Sequence, residues 1–427
     1  MTRRLLDDCF LHDRDRLRHA EALALLSQRI APVTGVEGIA IAAAAGRVLA
    51  EPVRAAHPVP YHTNAAVDGF AFARAALDAV GDGLLPLQGR VAAGHPLADP
   101  AAEGAAVRIF TGAVLPPNCD TVVMQEDVTL EDVDGGTAVR IPRGLKKGAN
   151  VRKAGEDVAS GELLFEAGHV LRPQDVAALA SVGRDAVACF RPLRVAIVST
   201  GDEVVRPGSG ALKPGQVFDA NAPMLAGLVE AAGAEAVDLG VIGDRADAIE
   251  EALRDAAGRY DVILTSGGAS RGEEDHLADV LDRIGKRHLW QLAVKPGRPM
   301  MFGQIGDCIM IGLPGNPVAV FVCYLMYVFP MLRRLGGGPF REPRRFPMRA
   351  AFEFTGRKSG RREFWRGMFI ETPSGLAVDK FARDGSGLIS GLRAADGLID
   401  IPEEHGDVAV GDVVDFIPFS EFGIQSI

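Results

Sequence analysis

The chain has 427 residues, of which 48% are hydrophobic and 24% charged, as in a globular protein of about two to four domains. Its 46 basic and 56 acidic side chains give a formal net charge of −10, which argues against general binding to nucleic acid or to an anionic membrane. Five scattered cysteines without a CxxC pair argue against a disulfide framework and a thiolate zinc site. Together with a start that lacks a signal peptide's apolar core, they predict a cytoplasmic protein.

The N-terminal half combines one helix with many short strands. Leucines at helical spacing predict an amphipathic helix over 14–30. The prolines and the Asp-Gly pair of "AAHPVPYHTNAAVDGFAFA" (55–73) indicate extended chain and turns. Residues 85–165 are rich in glycine, valine and turn signals, which predicts a β-rich domain.

From residue 191, strand patterns alternate with helical ones. This alternation predicts a doubly wound α/β domain with parallel strands and helices on both faces. The most apolar stretch (318–332) is shorter than the ~20 residues that span a bilayer and contains a proline, so it predicts a buried helix. A linker, "GGGPFREPRRFP" (336–347), then precedes strand signals that predict a C-terminal β domain. The predicted fold class is therefore multidomain, α/β plus β.

The predicted strands of the α/β domain end in loops made of Gly, Pro, Asp, Asn, Ser and Thr. Because ligands of doubly wound sheets bind outside the carboxyl ends of the strands, we expect these loops to face one pocket. The loops are "STGDE" (199–203), "GD" (243–244), "SGGASRGEED" (266–275), "KPGRP" (295–299) and "LPGNP" (313–317).

Two of these loops indicate an anion site. Gly267, Gly268 and Ser270 belong to a Gly-rich turn after a strand, which presents backbone N–H groups to an anion. Asn316 before Pro317 predicts a helix N-cap, which points a positive helix end at the same edge. Ser270 and Glu273 have capping-box spacing, so a structural role is the plainer interpretation of Glu273.

Charged groups at the same edge have both signs. Lys295 and Arg298 flank a rigid turn and suit an oxyanion. Carboxylates would repel that anion unless a hard cation lies between, and Mg²⁺ uses one or two carboxylates together with phosphate oxygens. The pattern therefore predicts a phosphate-bearing ligand bridged by Mg²⁺. The carboxylates concerned are Asp202, Glu203, Asp244 and Asp275.

Seven segments, in one order along the chain, resemble the molybdopterin molybdenumtransferase (MoeA) family, which includes the E domain of gephyrin. The resemblance covers essentially the whole length. The segments are "NAAVDGFAFA" (64–73), "RIFTGAVLP" (108–116), "VRKAGEDV" (151–158), "VSTGDEVV" (198–205), "TSGGASRGEEDH" (265–276), "AVKPGRPMMFG" (293–303) and "GLPGNPVAVFV" (312–322).

The resemblance implies a fold, an assembly and a reaction. The α/β domain would be MogA-like and bind molybdopterin, and the family's homodimers complete each active site with the partner's N-terminal domains. The implied reaction inserts molybdenum from molybdate into adenylylated molybdopterin and releases AMP with Mg²⁺ present, with possible contacts to an adenylyltransferase or to client molybdoenzymes. The implied domains are 1–55 with 150–190 (extended), 56–149 (inserted β), 191–337 (α/β) and 338–427 (C-terminal β).

The resemblance also implies roles for individual residues. Arg361 and Ser386 match C-terminal-domain positions that approach the oxyanion, with Arg362 or Arg366 as alternatives to Arg361. Lys295, Arg298 and Pro299 match the molybdate-side loop, and Asp244 and Asp275 the metal or phosphate side. The ligand-facing and catalytic candidates are Asp68, Thr111, Asp157, Glu203 and Lys295.

Four positions depart from the family's usual pattern. Ala65 and Ala319 stand where serine is common, Arg298 replaces a usual lysine, and Gln291 lies where some members have lysine. Two of these lie beside the implied molybdate site. Two alternative functions therefore stay open: a carrier that binds molybdopterin without inserting metal, and a Mg²⁺-dependent hydrolase of a pterin or nucleotide pyrophosphate.

Overall fold

The computed structural model describes residues 16–267, 276–297 and 299–425. Four of the predicted site residues lie outside these ranges: Gly268, Ser270, Asp275 and Arg298.

Residues 16–190 contain three α-helices and twelve short strands among the described part of the chain. Strands β4 to β9 form a six-stranded sheet in the order β7-β4-β6-β5-β9-β8, while the others pair two by two as β1–β12, β2–β11 and β3–β10. The elements are α1 (His19–Arg29), β1 (Val36–Ala40), β2 (Val53–Arg54), β3 (Asn64–Ala65), β4 (Gly69–Phe72), α2 (Arg74–Ala79), β5 (Leu84–Val91), β6 (Ala106–Ile109), β7 (Thr121–Met124), β8 (Thr129–Val133), β9 (Gly136–Arg140), β10 (Val151–Arg152), β11 (Leu163–Phe165), α3 (Pro173–Ser181) and β12 (Ala186–Phe190).

Helix α1 begins later than the leucine spacing predicts. Leu17 exchanges backbone hydrogen bonds with a distant segment: its N–H donates to Gln291 O (2.9 Å) and its carbonyl accepts from Ala293 N (2.8 Å). These bonds hold the chain extended there, so the helix starts only at His19. The buried side of α1 packs into the same hydrophobic core as the α/β domain. The domain boundaries proposed above stay predictions.

The elements between Arg194 and Leu335 include a six-stranded sheet with helices on both faces. The sheet has the order β16-β13-β17-β21-β20-β18, with parallel pairing from β16 to β21. The elements are β13 (Arg194–Thr200), β14 (Val204–Val205), β15 (Val217–Phe218), α4 (Asn221–Ala231), β16 (Glu235–Ile242), α5 (Ala246–Ala257), β17 (Val262–Ser266), α6 (His276–Ile284), β18 (Lys286–Gln291), β19 (Val294–Lys295), β20 (Pro299–Ile305), β21 (Cys308–Leu313), α7 (Pro317–Cys323) and α8 (Phe329–Leu335).

The sheet is covered on both faces, which confirms the doubly wound prediction. Along β13, Val195 and Ile197 pack with α4 and α7, whereas Ala196 and Val198 pack with α5 and α6. Successive side chains of a strand point to opposite faces, so an unbroken apolar run is what a sheet covered on both sides requires.

One edge of the sheet is antiparallel and was not predicted. The run Pro299–Ile305 forms β20, which turns at Gly306 and Asp307 and pairs antiparallel with β21, so that Met301 lies opposite Gly312. The start of β20 therefore lies beside the end of β21. The "KPGRP" loop reaches the predicted edge of the sheet, but at the start of an antiparallel strand rather than at the end of a parallel one.

The long apolar helix is buried, as predicted. Between α7 and α8 it contains one π-helical stretch, Tyr324–Val328, in which Phe329 N–H bonds to Tyr324 O. Pro330 has no N–H to donate to the preceding turn, which accounts for the local change of hydrogen bonding. Pro317–Leu335 is long and apolar enough to cross a membrane, yet 83% of its most apolar window is buried inside this chain.

The C-terminal strands close into a five-stranded barrel, β23-β24-β22-β26-β25 and back to β23. Strand β19 pairs in parallel with β23, which places Val294 opposite Arg362 and Lys295 opposite Glu363. This pairing attaches the barrel to the ligand edge of the α/β domain. The elements are β22 (Phe346–Ala350), β23 (Arg362–Thr372), β24 (Gly375–Lys380), α9 (Ile389–Ala394), β25 (Gly397–Ile401) and β26 (Val413–Pro418).

Candidate active site

A cleft of about 610 Å³ lies where the ligand edge of the α/β domain meets the barrel. Its walls come from the ends of β17 and β21, the β19–β20 loop, the start of α7, and strands β23 and β24 with the loop after β24. The cleft brings together six of the predicted site residues: Gly267, Lys295, Pro299, Asn316, Arg361 and Ser386.

Lys295 reaches the cleft from β19, and one carboxylate of the described residues lies beside it. Its Nζ lies 3.5 Å from Oε2 of Glu363, and its side chain is 42% exposed. The loop that follows is packed tightly, because Gly297 has φ +96° and a Cβ there would overlap the buried Sγ of Cys323. Glycine at this position therefore lets the loop lie directly on the helix that begins at Pro317.

Glu363 also binds Arg361. Its Oε1 accepts a hydrogen bond from Arg361 Nε (3.0 Å), and its Oε2 accepts one from Trp365 Nε1 (2.9 Å). Burial alone would raise the pKa of Glu363, but these hydrogen bonds and the charge of Lys295 hold that pKa below its usual range. Glu363 is therefore a carboxylate at neutral pH.

Two further cations line the cleft. The Arg366 guanidinium donates to three backbone carbonyls of the loop after β24, those of Arg383 (2.7 Å), Leu388 (3.2 Å) and Gly385 (3.4 Å). Lys380 Nζ donates to Asp384 Oδ1 (2.7 Å) and lies 5.6 Å from the Trp365 ring centroid. The described lining thus has more positive than negative side chains.

The start of α7 meets the barrel loop directly. Asn316 occupies the N-cap position, as predicted, but its side chain makes no capping hydrogen bond. Instead, the N–H of Val318 donates to the backbone carbonyl of Ser386 (2.9 Å). Part of the predicted anion-binding capacity of this helix start is therefore used to hold the loop that contains Ser386.

Acidic residues lie along the other end of the sheet edge. Asp202 N–H donates to Asp244 Oδ2 (3.2 Å), and Asp244 N–H donates to Asp202 Oδ1 (3.0 Å), so the two loops hold each other. Within the described ranges, the other oxygen of each carboxylate accepts no hydrogen bond. No three His, Cys, Asp or Glu side chains of the described residues form a metal-binding group. Two carboxylates suit Mg²⁺ only when a ligand supplies further oxygens.

Gly267 connects the two ends of this edge. It has φ +95°, and a Cβ there would lie 3.0 Å from Thr200 Oγ1, so the loop after β17 lies against the loop after β13. Nearby, the buried Asn221 Nδ2 donates to Ser266 Oγ (2.6 Å) and to Gly315 O (2.8 Å). These contacts join the ends of β13, β17 and β21 along one edge of the sheet. Glu203 follows β13, is exposed, and has its carboxylate folded over Gly201.

Five of the predicted residues that the structure describes do not line the cleft: Glu203 and Asp244, which lie at the acidic end of the sheet edge, and Asp68, Thr111 and Asp157 in the N-terminal half. Asp68 Oδ1 accepts hydrogen bonds from the N–H (2.8 Å) and the Oγ1 (2.7 Å) of Thr111, which lower the pKa of Asp68. The segment with Asp157 lies beside them, since β10 pairs with β3. Asp157 is exposed, and in its turn it is Glu156 rather than Asp157 that accepts a backbone N–H, from Lys153.

Several lining residues of the cleft were not predicted from the sequence. The charged residues of "RREFWRG" (361–367) and the lysine of "VDKFARDGS" (378–386) interrupt otherwise apolar strands, which is the only sequence signal for them. Of the alternatives to Arg361, Arg366 lines the cleft too, whereas Arg362 is bound to the buried Asp400. The missed residues are Phe364, Trp365, Lys380, Phe381 and Asp384.

Comparisons with known proteins cover nearly the whole chain. Residues 17–183 match the MoeA N-terminal region (domain I and II), 196–334 a probable molybdopterin binding domain, and 348–419 the MoeA C-terminal region (domain IV). The chain is 35% identical over 389 residues to molybdopterin molybdenumtransferase of Haemophilus influenzae, which covers 91% of this chain and 95% of that protein. The chain belongs to the MoeA family.

Other members agree with this assignment. Molybdopterin molybdenumtransferase 2 of Mycobacterium tuberculosis is 31% identical over 407 residues, covering 92% of this chain and 96% of that protein. The crystal structure of a MoeA protein from Pyrococcus horikoshii superposes with a TM-score of 0.80 at 28% identity, covering 95% of this chain and 100% of that one. The MoeA fold thus extends from the N-terminal sheets to the barrel.

Proposed function

We propose that this protein acts in molybdenum cofactor biosynthesis and inserts molybdenum, taken from molybdate, into adenylylated molybdopterin with Mg²⁺-dependent release of AMP. The observation that carries the proposal is the cleft, in which several cations stand beside a Gly-rich sheet edge that continues to a pair of carboxylates. An elongated ligand with a pyrophosphate and a separate oxyanion fits that distribution of charge.

The cationic end would hold molybdate. Lys295 supplies a point charge, and the terminal nitrogens of Arg361 supply a planar fork suited to two oxygens of one anion. Ser386 offers a hydroxyl at the same wall. These groups would keep the oxyanion beside the pterin and offset negative charge as oxo groups leave.

The acidic end would hold Mg²⁺. Among the described residues, one carboxylate oxygen each of Asp202 and Asp244 accepts no hydrogen bond, and we assign these oxygens, with ligand phosphate oxygens, to the ion. Asp275 stays a predicted ligand that lies outside the described residues. When bound, Mg²⁺ would stabilise charge on the phosphoanhydride, while Gly267 lets the neighbouring loops approach the phosphate closely.

A second copy of the chain would complete the site. Asp68, Thr111 and Asp157 lie together on the N-terminal half but not in the cleft, so we propose a homodimer in which they face the partner's cleft. We place the reaction in the cytoplasm. Contacts with an adenylyltransferase or with client molybdoenzymes stay predictions.

The test is AMP release from adenylylated molybdopterin at fixed Mg²⁺, with and without molybdate. We expect release to require molybdate and to yield active cofactor. Lys295→Ala should raise the molybdate concentration for half-maximal rate by about tenfold or more, because a charge-assisted contact is lost.

Two other outcomes would replace the proposal. Ligand binding without AMP release would identify a carrier, and Ala319 at the cleft wall, where serine is common, is the feature that favours this reading. AMP release that is indifferent to molybdate would identify a pyrophosphate hydrolase.

A further inference from the structure

Glu363 is the buried acid closest to the cations of the cleft, and it does not itself line the cleft. It is 1% exposed and lies on β23 directly opposite Lys295 of β19. We propose that Glu363 is a positioning residue, which aims the Arg361 fork and the Lys295 ammonium at the bound oxyanion. This inference rests on the function proposed above.

The hydrogen bonds of Glu363 determine which edge of Arg361 is left for a ligand. Glu363 binds Arg361 through Nε alone, at 3.0 Å. Among the described residues, neither terminal nitrogen of Arg361 has a hydrogen-bond partner, and the side chain lines the cleft. The terminal pair is the edge that binds two oxygens of an anion in parallel, so Glu363 leaves the useful fork exposed.

The carboxylate is itself held in place. Trp365 Nε1 donates to its second oxygen (2.9 Å), so both oxygens are bound and the group has little freedom to rotate. The backbone of Arg361 is fixed separately, because Arg357 Nη2 donates to its carbonyl (2.6 Å). Side chain and backbone of Arg361 are thus oriented by two different residues.

A second buried carboxylate in the same barrel shows the contrasting arrangement. Asp400 accepts from Arg362 Nε (2.6 Å) and Nη2 (2.9 Å), and also from Arg345 Nε (2.7 Å). There the carboxylate binds Nε and one of the two terminal nitrogens of Arg362, so the terminal pair of that guanidinium is not left free for a ligand. A buried carboxylate can therefore neutralise an arginine without binding it through Nε alone. Binding through Nε alone, as at Glu363, is the arrangement that leaves both terminal nitrogens of the arginine for a ligand.

Glu363→Gln tests the proposal, with Glu371→Gln on the same strand but exposed as the matched control. Glutamine keeps the size of the side chain but has one acceptor oxygen, so it serves Arg361 or Trp365 but not both. We expect the molybdate KM for AMP release to rise about tenfold, with kcat at saturating molybdate within about threefold and AMP affinity unchanged. The control Glu371→Gln should have the parental molybdate KM, kcat and AMP affinity.

A double-mutant cycle with Arg361→Ala separates positioning from a general structural effect. If Glu363 acts through Arg361, its substitution should add less than about threefold to the molybdate KM of the Arg361→Ala protein. A parental KM in Glu363→Gln, or full additivity in the cycle, would overturn the inference. A parent enzyme without molybdate dependence would instead overturn the proposed function.

Glu363→Asp carries the test if Glu363→Gln does not fold. Aspartate keeps the charge but withdraws the carboxylate by one methylene. The molybdate KM should then rise if position matters, whereas a parental KM would mean that charge alone matters and would contradict the proposal.

Discussion

Ala319 lines the cleft at a position where serine would add a hydroxyl group beside the proposed oxyanion. It is 3% exposed in the first turn of α7, and its Cβ lies 3.8 Å from where a Cβ on Gly297 would be. The wall beneath the Lys295 loop is therefore apolar at this point. A hydroxyl there would face the same space as Lys295 and Arg361.

We expect Ala319→Ser to lower the molybdate KM by about three- to tenfold, since a hydrogen bond to a charged group is worth about 1.5 kcal/mol or less in a half-open site. The measurement is AMP release as a function of molybdate at fixed Mg²⁺. Ala319→Val adds volume without a donor and should raise the KM. If Ala319→Ser and Ala319→Val change the molybdate KM equally, the serine hydroxyl does not reach the oxyanion.

At the scale of elements, the loop between β19 and β20 depends on its contact with the helix below it. Gly297 has a left-handed φ of +96° and lies on Cys323, whose burial raises the pKa of its thiol to about 12. The thiol is therefore neutral, packs under the loop and donates a weak hydrogen bond to the carbonyl of Gly297 (3.7 Å). The size of this side chain sets how closely the loop that follows Lys295 can approach helix α7.

Gly297→Ala should displace this loop and raise the molybdate KM, because the new Cβ would overlap Cys323 Sγ. Adding Cys323→Ala removes the overlap but not the backbone cost of the left-handed conformation, which is about 1–2 kcal/mol. We therefore expect the double variant to recover part of the lost affinity and part of the lost Tm. If neither the molybdate KM nor the Tm recovers in the double variant, the overlap with Cys323 is not the cause of the loss.

The elements that the sequence predicts well are those with a local signal. The apolar runs of β13 and β17 and the helical spacing of α5 need no distant partner to be recognised, and Lys295 and Asn316 follow from where predicted strands end. Strand β20 escapes prediction because its pairing depends on the turn at Gly306. Trp365 and Lys380 escape because the closing of the barrel, which pairs segments far apart in sequence, brings them to the cleft.

At the scale of the whole molecule, His19 joins three parts of the chain. It lies on α1, its Nδ1 is 2.9 Å from the hydroxyl of Tyr327 in the π-helical stretch, and its Nε2 is 3.4 Å from Arg345 Nη2. Arginine can only donate, so Nε2 accepts and Nδ1 carries the proton. Burial, followed by the charges of Arg362 and Arg345 against that of Asp400, lowers the pKa of His19 to about 3.

This low pKa predicts a pH dependence of stability. The unfolded chain binds a proton at His19 near pH 6.5, whereas the folded chain does so only near pH 3, so stability is lost as pH falls through that window, by up to about 1.4 kcal/mol per pH unit. His19→Asn removes the titration. We expect the Tm difference between parent and variant to narrow from pH 7.5 to pH 5, and His95→Asn, at an exposed site, to show no narrowing. Parallel curves for His19→Asn would contradict the prediction.

The proposed homodimer predicts that two variants with defects in different halves of the site can restore each other's activity. Each site would take its cations from one chain and Asp68, Thr111 and Asp157 from the other. In a heterodimer of an Asp68→Asn chain with a Lys295→Ala chain, one site then carries both substitutions and the other carries neither. Random exchange of equal amounts should give heterodimers in about half of the dimers, and so intact sites in about a quarter of all sites.

The assay is run at a molybdate concentration well below the half-maximal value of Lys295→Ala, where each variant alone should show little activity. We expect the two proteins, after mixing and subunit exchange, to reach about a quarter of the parental rate of molybdate-dependent AMP release. Asp68→Asn mixed with Asp157→Asn serves as the control: every site receives one defective residue from the chain that supplies its acids, so no activity should return. If each chain instead builds its whole site alone, the first mixture also stays inactive, because every site then carries one of the two substitutions. Recovery in the first mixture but not in the second thus requires that the acids of the N-terminal half act on the cleft of the partner.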